Sequence, residues 1–402
     1  MNLRNHIHTA LFYFAIAAIL GVVLRSFGLF GWAVEYKYIV HTHSHIALLG
    51  WVYLALTTIL VKTFLNPEGQ STNYRYLFWF TQLTLCGMLL TFPIQGYGAF
   101  SIAFSTLFLF ASYWFFWFFS KHVKKELKER YSYKFIKASL WYMVLSSAGP
   151  WALGGIIATL GPASIWYRMA IYFYLHFQYN GWMILSLVGL VLFILEQRQT
   201  QFPNIILRPL YWLLNIGVIL TLLLSALWVE PPLIFNYLGA LGAILQLAAV
   251  FLFLKMCWDF ARKSQIPVFR RRLMRIMGLI VFFKLILQGI GAIPYFSALA
   301  VRILDFTIGY LHLTFLGLIT LGIFLVLEYW KMIKIPRGLY IMYLSGFALT
   351  EGLIFYRAMA SWLNFPVFGN FSMALSLASL FLALGIVSIL VSNIRSGIFG
   401  NR

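Results

Sequence analysis

The stretch HTHSHIALLGWVYLALTTIL, His41 to Leu60, decides the fold. Past its three histidines it carries no charged side chain before Lys62. An α-helix of about 20 apolar residues crosses the roughly 30 Å hydrocarbon core of a bilayer. Similar runs occur near residues 10–29, 76–95, 100–120, 138–160, 169–195, 209–228, 233–256, 276–294, 301–327, 338–360 and 371–393. With residues 40–61 they predict twelve transmembrane helices. The runs are continuous rather than alternating, which argues against a barrel, the only other architecture that satisfies the backbone within lipid. Composition agrees: 62% of the 402 residues are apolar and 10% charged, against roughly 45–50% and about 25% in soluble domains. The expected fold is all-α and integral to a lipid bilayer, one polytopic domain over residues 1–402.

The formal net charge of +20 reads as topology. Of the 30 lysines and arginines, 24 fall in alternate connections: Arg4; Lys62 and Arg75; Lys121 to Lys137; Arg198 and Arg208; Lys255 to Arg275; Lys331 to Arg337; Arg395 and Arg402. The positive-inside rule puts these on the inner side, so both termini are expected to be cytoplasmic, in a bacterial-type inner membrane. Basic runs at helix ends point to lipid headgroups and not to nucleic acid. Cys86 and Cys257 lie in apolar runs without any CxxC, so neither a disulfide framework nor covalently attached haem is expected. The first apolar run is long and lacks a small-residue cleavage site, so it reads as a retained helix and not a signal peptide.

Working outward from His45, the spacing H-x4-G recurs at His45/Gly50, His176/Gly181 and His312/Gly317, within the second, sixth and tenth runs. The histidines are 131 and 136 residues apart. This predicts three pseudosymmetric four-helix modules, residues 1–135, 136–270 and 271–402, each with a histidine in its second helix. His41, His43, His45, His176 and His312 all fall in the outer halves of inward-running helices, whereas His6, His8 and His122 fall in inner hydrophilic segments.

Ionisable groups within a bilayer are costly and by default functional. Imidazoles at one depth can clamp a haem iron or form a copper or zinc site, which makes His45, His176 and His312 candidate metal ligands. His41 and His45 share a helix face and His43 points away from it, so His43 and His45 remain alternatives as a ligand. A polar pocket is expected from His41, Gln95, Gln178, Asn180, Lys284, Gln288, Asp305 and Glu351, with Lys284 and Glu351 as a pair. Arg302 and Arg357 are candidate partners for haem propionates.

These residues resemble subunit I of the haem-copper oxidase superfamily, the cytochrome oxidase and nitric oxide reductase branches, with HTHSHIALLGW the most similar segment. NnrS-type haem proteins are a neighbour. The resemblance implies twelve helices in three arcs, haem b held by His43 or His45 and by His312, and copper near His176. The seventh run, RPLYWLLNIGVILTLLLSALW, has no histidine and the tenth has one, so a complete haem-copper centre is not expected. The resulting expectation is a membrane haem-binding protein for electron transfer or small-gas (O2 or NO) handling, with oxidoreductase activity open. A redox partner or other membrane subunits would serve it. The alternatives are a histidine-coordinated copper or zinc protein without haem, a twelve-helix transporter and a cofactor-free structural subunit.

Overall fold

The computed structural model describes residues 2–65, 72–198 and 203–399; Arg402 lies outside them. No strand occurs among the described residues apart from an isolated bridge between Leu65 and Val123. Twelve helices are long and apolar enough to cross a membrane: α1 Leu3–Phe30, α2 Tyr36–Phe64, α3 Asn73–Gln95, α4 Ala99–His122, α5 Tyr131–Thr159, α6 Ile165–Arg198, α7 Asn204–Val229, α8 Ile234–Lys263, α9 Val268–Ile290, α10 Leu304–Tyr329, α11 Arg337–Leu363 and α12 Phe371–Arg395. Each corresponds to one of the twelve apolar runs. Helical hydrogen bonding satisfies the backbone of each span internally, as a hydrocarbon surround requires.

The boundaries shift in two informative places. Helix α1 starts at Leu3, well before the expected residue 10, capped by the Asn2 side chain, which accepts from the Arg4 N–H at 3.0 Å, with Leu3, His6 and Ile7 of its first turns buried. His6 is buried there, stacked on Phe78 with ring centroids 3.6 Å apart, and its Nδ1 lies 3.4 Å from the Tyr74 hydroxyl. It therefore does not belong to a hydrophilic segment. Before α10, a short helix Pro294–Arg302 ends at Ile303, whose φ of −113° and ψ of 91° break the helix. Arg302 thus ends the short helix and does not open α10.

The chain forms two compact units, residues 1–124 with 323–402, and residues 125–322. In the first, α1 lies along α2 and α12, α11 along α12, and α3 against α2 and α4. Trp51 stacks face to face on Phe14, with centroids 4.7 Å apart and planes within 8°. In the second, α5 packs on α6, α7 on α8, and α9 on α8 and α10. Its core gathers Phe135, Leu185, Leu192, Leu210, Val218 and Ala249. Glu196 near the end of α6 secures the start of α5, accepting from the Ser132 backbone N–H at 3.1 Å and its hydroxyl at 2.6 Å. This satisfies an otherwise orphaned helix-terminal donor.

The three helices that carry the repeated histidines are distinct in two ways. The apolar windows of α2, α6 and α10 are 83%, 78% and 67% buried, and no other span exceeds 50%. Each also widens into a π-helical stretch, Ile46–Tyr53, Phe177–Met183 and Leu313–Thr320, starting on the residue after His45, His176 and His312. Such i→i+5 turns are rare and concentrate at functional sites. Two of the repeat glycines, Gly50 and Gly181, admit a tyrosine from the preceding helix. A Cβ on Gly50 would lie 2.8 Å from the Tyr13 Cβ, and one on Gly181 would lie 2.6 Å from the Tyr142 Cβ.

Candidate functional site

In the first unit, the first turns of α2 present three histidines, all half-buried. His45 lies 2.8 Å through Nδ1 from the His41 carbonyl one turn earlier. A carbonyl only accepts, so Nδ1 carries the proton and Nε2 carries the lone pair. No described residue forms a hydrogen bond with that Nε2. The ring rests on Phe92, centroids 4.4 Å apart, and 5.9 Å from Tyr97, which also meets the His41 ring edge-on at 4.5 Å. His43 points to α1, with Nδ1 2.8 Å from the Ala17 carbonyl; a Cβ on Gly21 would sit 3.3 Å from its ring. His41 and His45 thus share one face and one aromatic wall, and His43 occupies another.

The second unit carries a buried polar network. His176, 2% exposed, places Nε2 2.8 Å from the Val218 carbonyl of α7, so Nε2 donates. Its Nδ1 is 3.3 Å from the Asn180 Nδ2, one turn further along α6. With Nδ1 accepting, Asn180 must present its NH2 to the ring and its oxygen to the other side, where the Lys284 ammonium donates at 2.7 Å. Lys284, 1% exposed, also donates to Gln288 Oε1 at 2.6 Å and lies 5.9 and 5.7 Å from the ring centres of Tyr179 and Tyr310. Gln288 Oε1 also accepts from the Tyr310 hydroxyl at 3.1 Å, and its Nε2 donates to Gln246 Oε1 at 3.0 Å. Gln246 donates to Thr221 Oγ1 at 2.9 Å, and Thr221 to the Gly217 carbonyl at 2.7 Å.

Two arms therefore leave Lys284 and end on adjacent carbonyls of α7, and every donor in both points away from the ammonium. The cation orients four helices, α6 to α9, through neutral dipoles alone. Amide oxygens and two π-faces take the place of the carboxylate expected from Glu351, which is buried on α11 in the first unit.

The other expected residues take separate places. The Gln95 amide lies at the start of α4; oriented with its oxygen towards that helix, as the surrounding donors require, it accepts from the backbone N–H of Phe100 at 3.3 Å and of Ser101 at 3.2 Å. Gln178 clasps α6 to α5 by donating to Ser146 Oγ at 2.9 Å. Asp305 lies in the first turn of α10, where a carboxylate complements the helix dipole. Arg302 is exposed, its Nε 3.4 Å from the Ala298 carbonyl, and Arg357 lies 5.4 Å over the Phe371 ring. His312 is half-buried and immediately precedes the π-helical stretch of α10.

The ligand chemistry separates His45 from His176. His45 fits a metal or haem iron: one nitrogen is fixed by a carbonyl, as for most ligating histidines, and the other retains its lone pair. His176 does not fit, because both nitrogens are committed to protein partners. No group of three or more His, Cys, Asp or Glu side chains able to hold a metal ion occurs among the described residues. No protein-family model matches the chain, and no curated protein sequence matches it. Sequence reading missed Tyr179, Tyr310 and Thr221 as network members; among 23 tyrosines nothing distinguishes these two until the Lys284 amine is placed beside them.

Proposed function

We propose that this chain is a membrane haem protein in which His45 is an axial ligand of one b-type haem, serving electron transfer or the handling of a small gas such as O2 or NO. Such a haem would supply one-electron chemistry and an iron site for a small ligand. The observation carrying the reading is the state of His45: Nδ1–H held by the His41 carbonyl at 2.8 Å, a ring braced by Phe92 and Tyr97, and an Nε2 that no described residue engages. The carbonyl fixes ring orientation and tautomer and raises the basicity of the ligating nitrogen.

The same reading takes the chain as three four-helix modules with both termini at the cytoplasmic face of a bacterial-type inner membrane, working with a redox partner or other membrane subunits. Its support is the recurrence of histidine and π-helical turn in all three, with a tyrosine-covered glycine in the first two, together with the positive residues clustered in alternate connections. The copper or zinc reading is less well supported, since His176 is engaged at both nitrogens. The test is the visible spectrum of full-length protein expressed with ample haem. Replacement His45→Ala abolishes the haem band, or its low-spin form, and His43→Ala leaves it. His312→Ala tests the second ligand expected from sequence. Full haem loading in His45→Ala protein would overturn the assignment.

A further inference from the structure

The engaged nitrogens of His176 give it a different role. We propose that Lys284 and His176 share one proton across Asn180: a single positive charge resides on either the lysine amine or the imidazole, and the Asn180 amide turns over with it. No residue is shared with the His45 reading, and the two stand or fall separately.

Hydrogen-bond chemistry at fixed heavy-atom positions allows both arrangements. In the first arrangement Lys284 is an ammonium. It donates to Asn180 Oδ1 at 2.7 Å and Gln288 Oε1 at 2.6 Å and turns its third N–H towards the faces of Tyr179 and Tyr310. Asn180 then donates to a neutral His176, which donates through Nε2 to Val218.

Now let the amide turn over. Its oxygen and nitrogen exchange places with almost no change of shape. The amide NH2 now donates to the lone pair of a neutral amine, and the amide oxygen accepts from Nδ1–H of an imidazolium. Nε2 still donates to Val218, and Lys284 still donates to Gln288. His176, Lys284, Gln288 and Val218 keep their partners in both arrangements. Between them one Nζ–H bond breaks and one Nδ1–H bond forms, so the summed charge stays +1 and no co-reactant is needed.

The surroundings favour this division of one charge. Both groups are at most 2% exposed, and two like charges a single amide apart in such a medium are strongly disfavoured. The titratable groups facing the pair are Tyr179 from α6 and Tyr310 from α10; α8 contributes the Gln246 amide and α7 the Thr221 hydroxyl and backbone carbonyls. Lys284 forms no ion pair among the described residues, so no carboxylate pins the charge on the amine. The bridge is also built into the helices: His176 and Asn180 are one turn apart on α6, as Lys284 and Gln288 are on α9. The pair holds a proton inside the membrane-spanning region and moves it between α9 and α6.

The test is solid-state NMR of the full-length protein in lipid bilayers with isotope-labelled histidine, the His176 signals being assigned by their loss in His176→Gln protein. The wild type is expected to show both neutral Nε2–H and imidazolium forms of His176 near pH 5, with the imidazolium lost towards pH 9. In Lys284→Arg protein the guanidinium does not release its proton, and the imidazolium fraction should fall by about tenfold or more. In Lys284→Met protein the competing site is gone, and the imidazolium fraction near pH 5 should exceed that of the wild type. If Lys284→Arg does not fold, Lys284→Met carries the comparison alone. A His176 that is solely neutral across the whole range in wild-type protein, or an imidazolium fraction unchanged by either lysine replacement, would overturn the proposal.

Discussion

Replacing Asn180 by Leu should be among the most damaging single changes in the second unit, and replacing Lys284 as well should undo part of the damage. Asn180 supplies one of the two amide oxygens that hold the Lys284 ammonium, at 2.7 Å, and the donor to His176 Nδ1, at 3.3 Å. A hydrogen bond to a buried charge contributes roughly 1.5–3 kcal/mol and a neutral one about 1, and each stranded partner adds its own desolvation cost. The expected loss for Asn180→Leu is thus about 3–5 kcal/mol. Lys284→Met leaves two amide oxygens short of a donor but also removes a buried charge, so its cost is about 0–2 kcal/mol. In the double variant no ammonium remains to be stranded, and the coupling between the positions should be about 2–3 kcal/mol. Equilibrium unfolding in mixed micelles of the wild type, both single variants and the double variant measures this cycle. A coupling below about 0.5 kcal/mol would mean the bridge bears no weight, and the account of the network would be wrong.

Further outcomes follow from other contacts. Gly50→Ala and Gly181→Ala drive a methyl into Tyr13 and Tyr142 and should each cost about 1–3 kcal/mol by overpacking; Gly352→Ala on α11, where an added Cβ would meet no neighbouring group within 4 Å, should be neutral or stabilising in the same unfolding assay. Glu196→Gln weakens the two bonds to Ser132 and should destabilise the protein by roughly 1–2 kcal/mol, measurable as faster proteolysis at the start of α5. In haem-loaded protein, His176→Ala should leave the visible spectrum unchanged, because His176 is bonded to Val218 and Asn180; loss of the haem band in that variant would contradict its exclusion as a ligand.

Much of the architecture was legible because membrane helices announce themselves by length and apolarity. All twelve runs are helices, and His45, His176 and His312 stand on the three most enclosed ones. What escaped was set by partners. The early start of α1 combines an Asn2 cap with Phe78 and Tyr74 receiving His6, and the latter contacts no local pattern reveals. The π-helical stretches leave no mark on residue type, although the H-x4-G spacing is the five-residue step that a wider turn closes. Lys284 and Gln288 were recognisable as neighbours on one helix face, but the amine is satisfied by amides from α6 and α9 and not by Glu351. Gln95, read as a pocket residue, is a helix cap: its signal, a polar side chain just before an apolar run, is the same for both roles.

The measurement that bears most directly on the central claim is the visible absorption spectrum of purified protein from haem-replete cells, compared with that of its His45→Ala variant. A Soret band near one haem per chain is expected in the wild type, lost or shifted to a high-spin form in the variant. A wild-type protein that is folded yet shows no Soret band would contradict it.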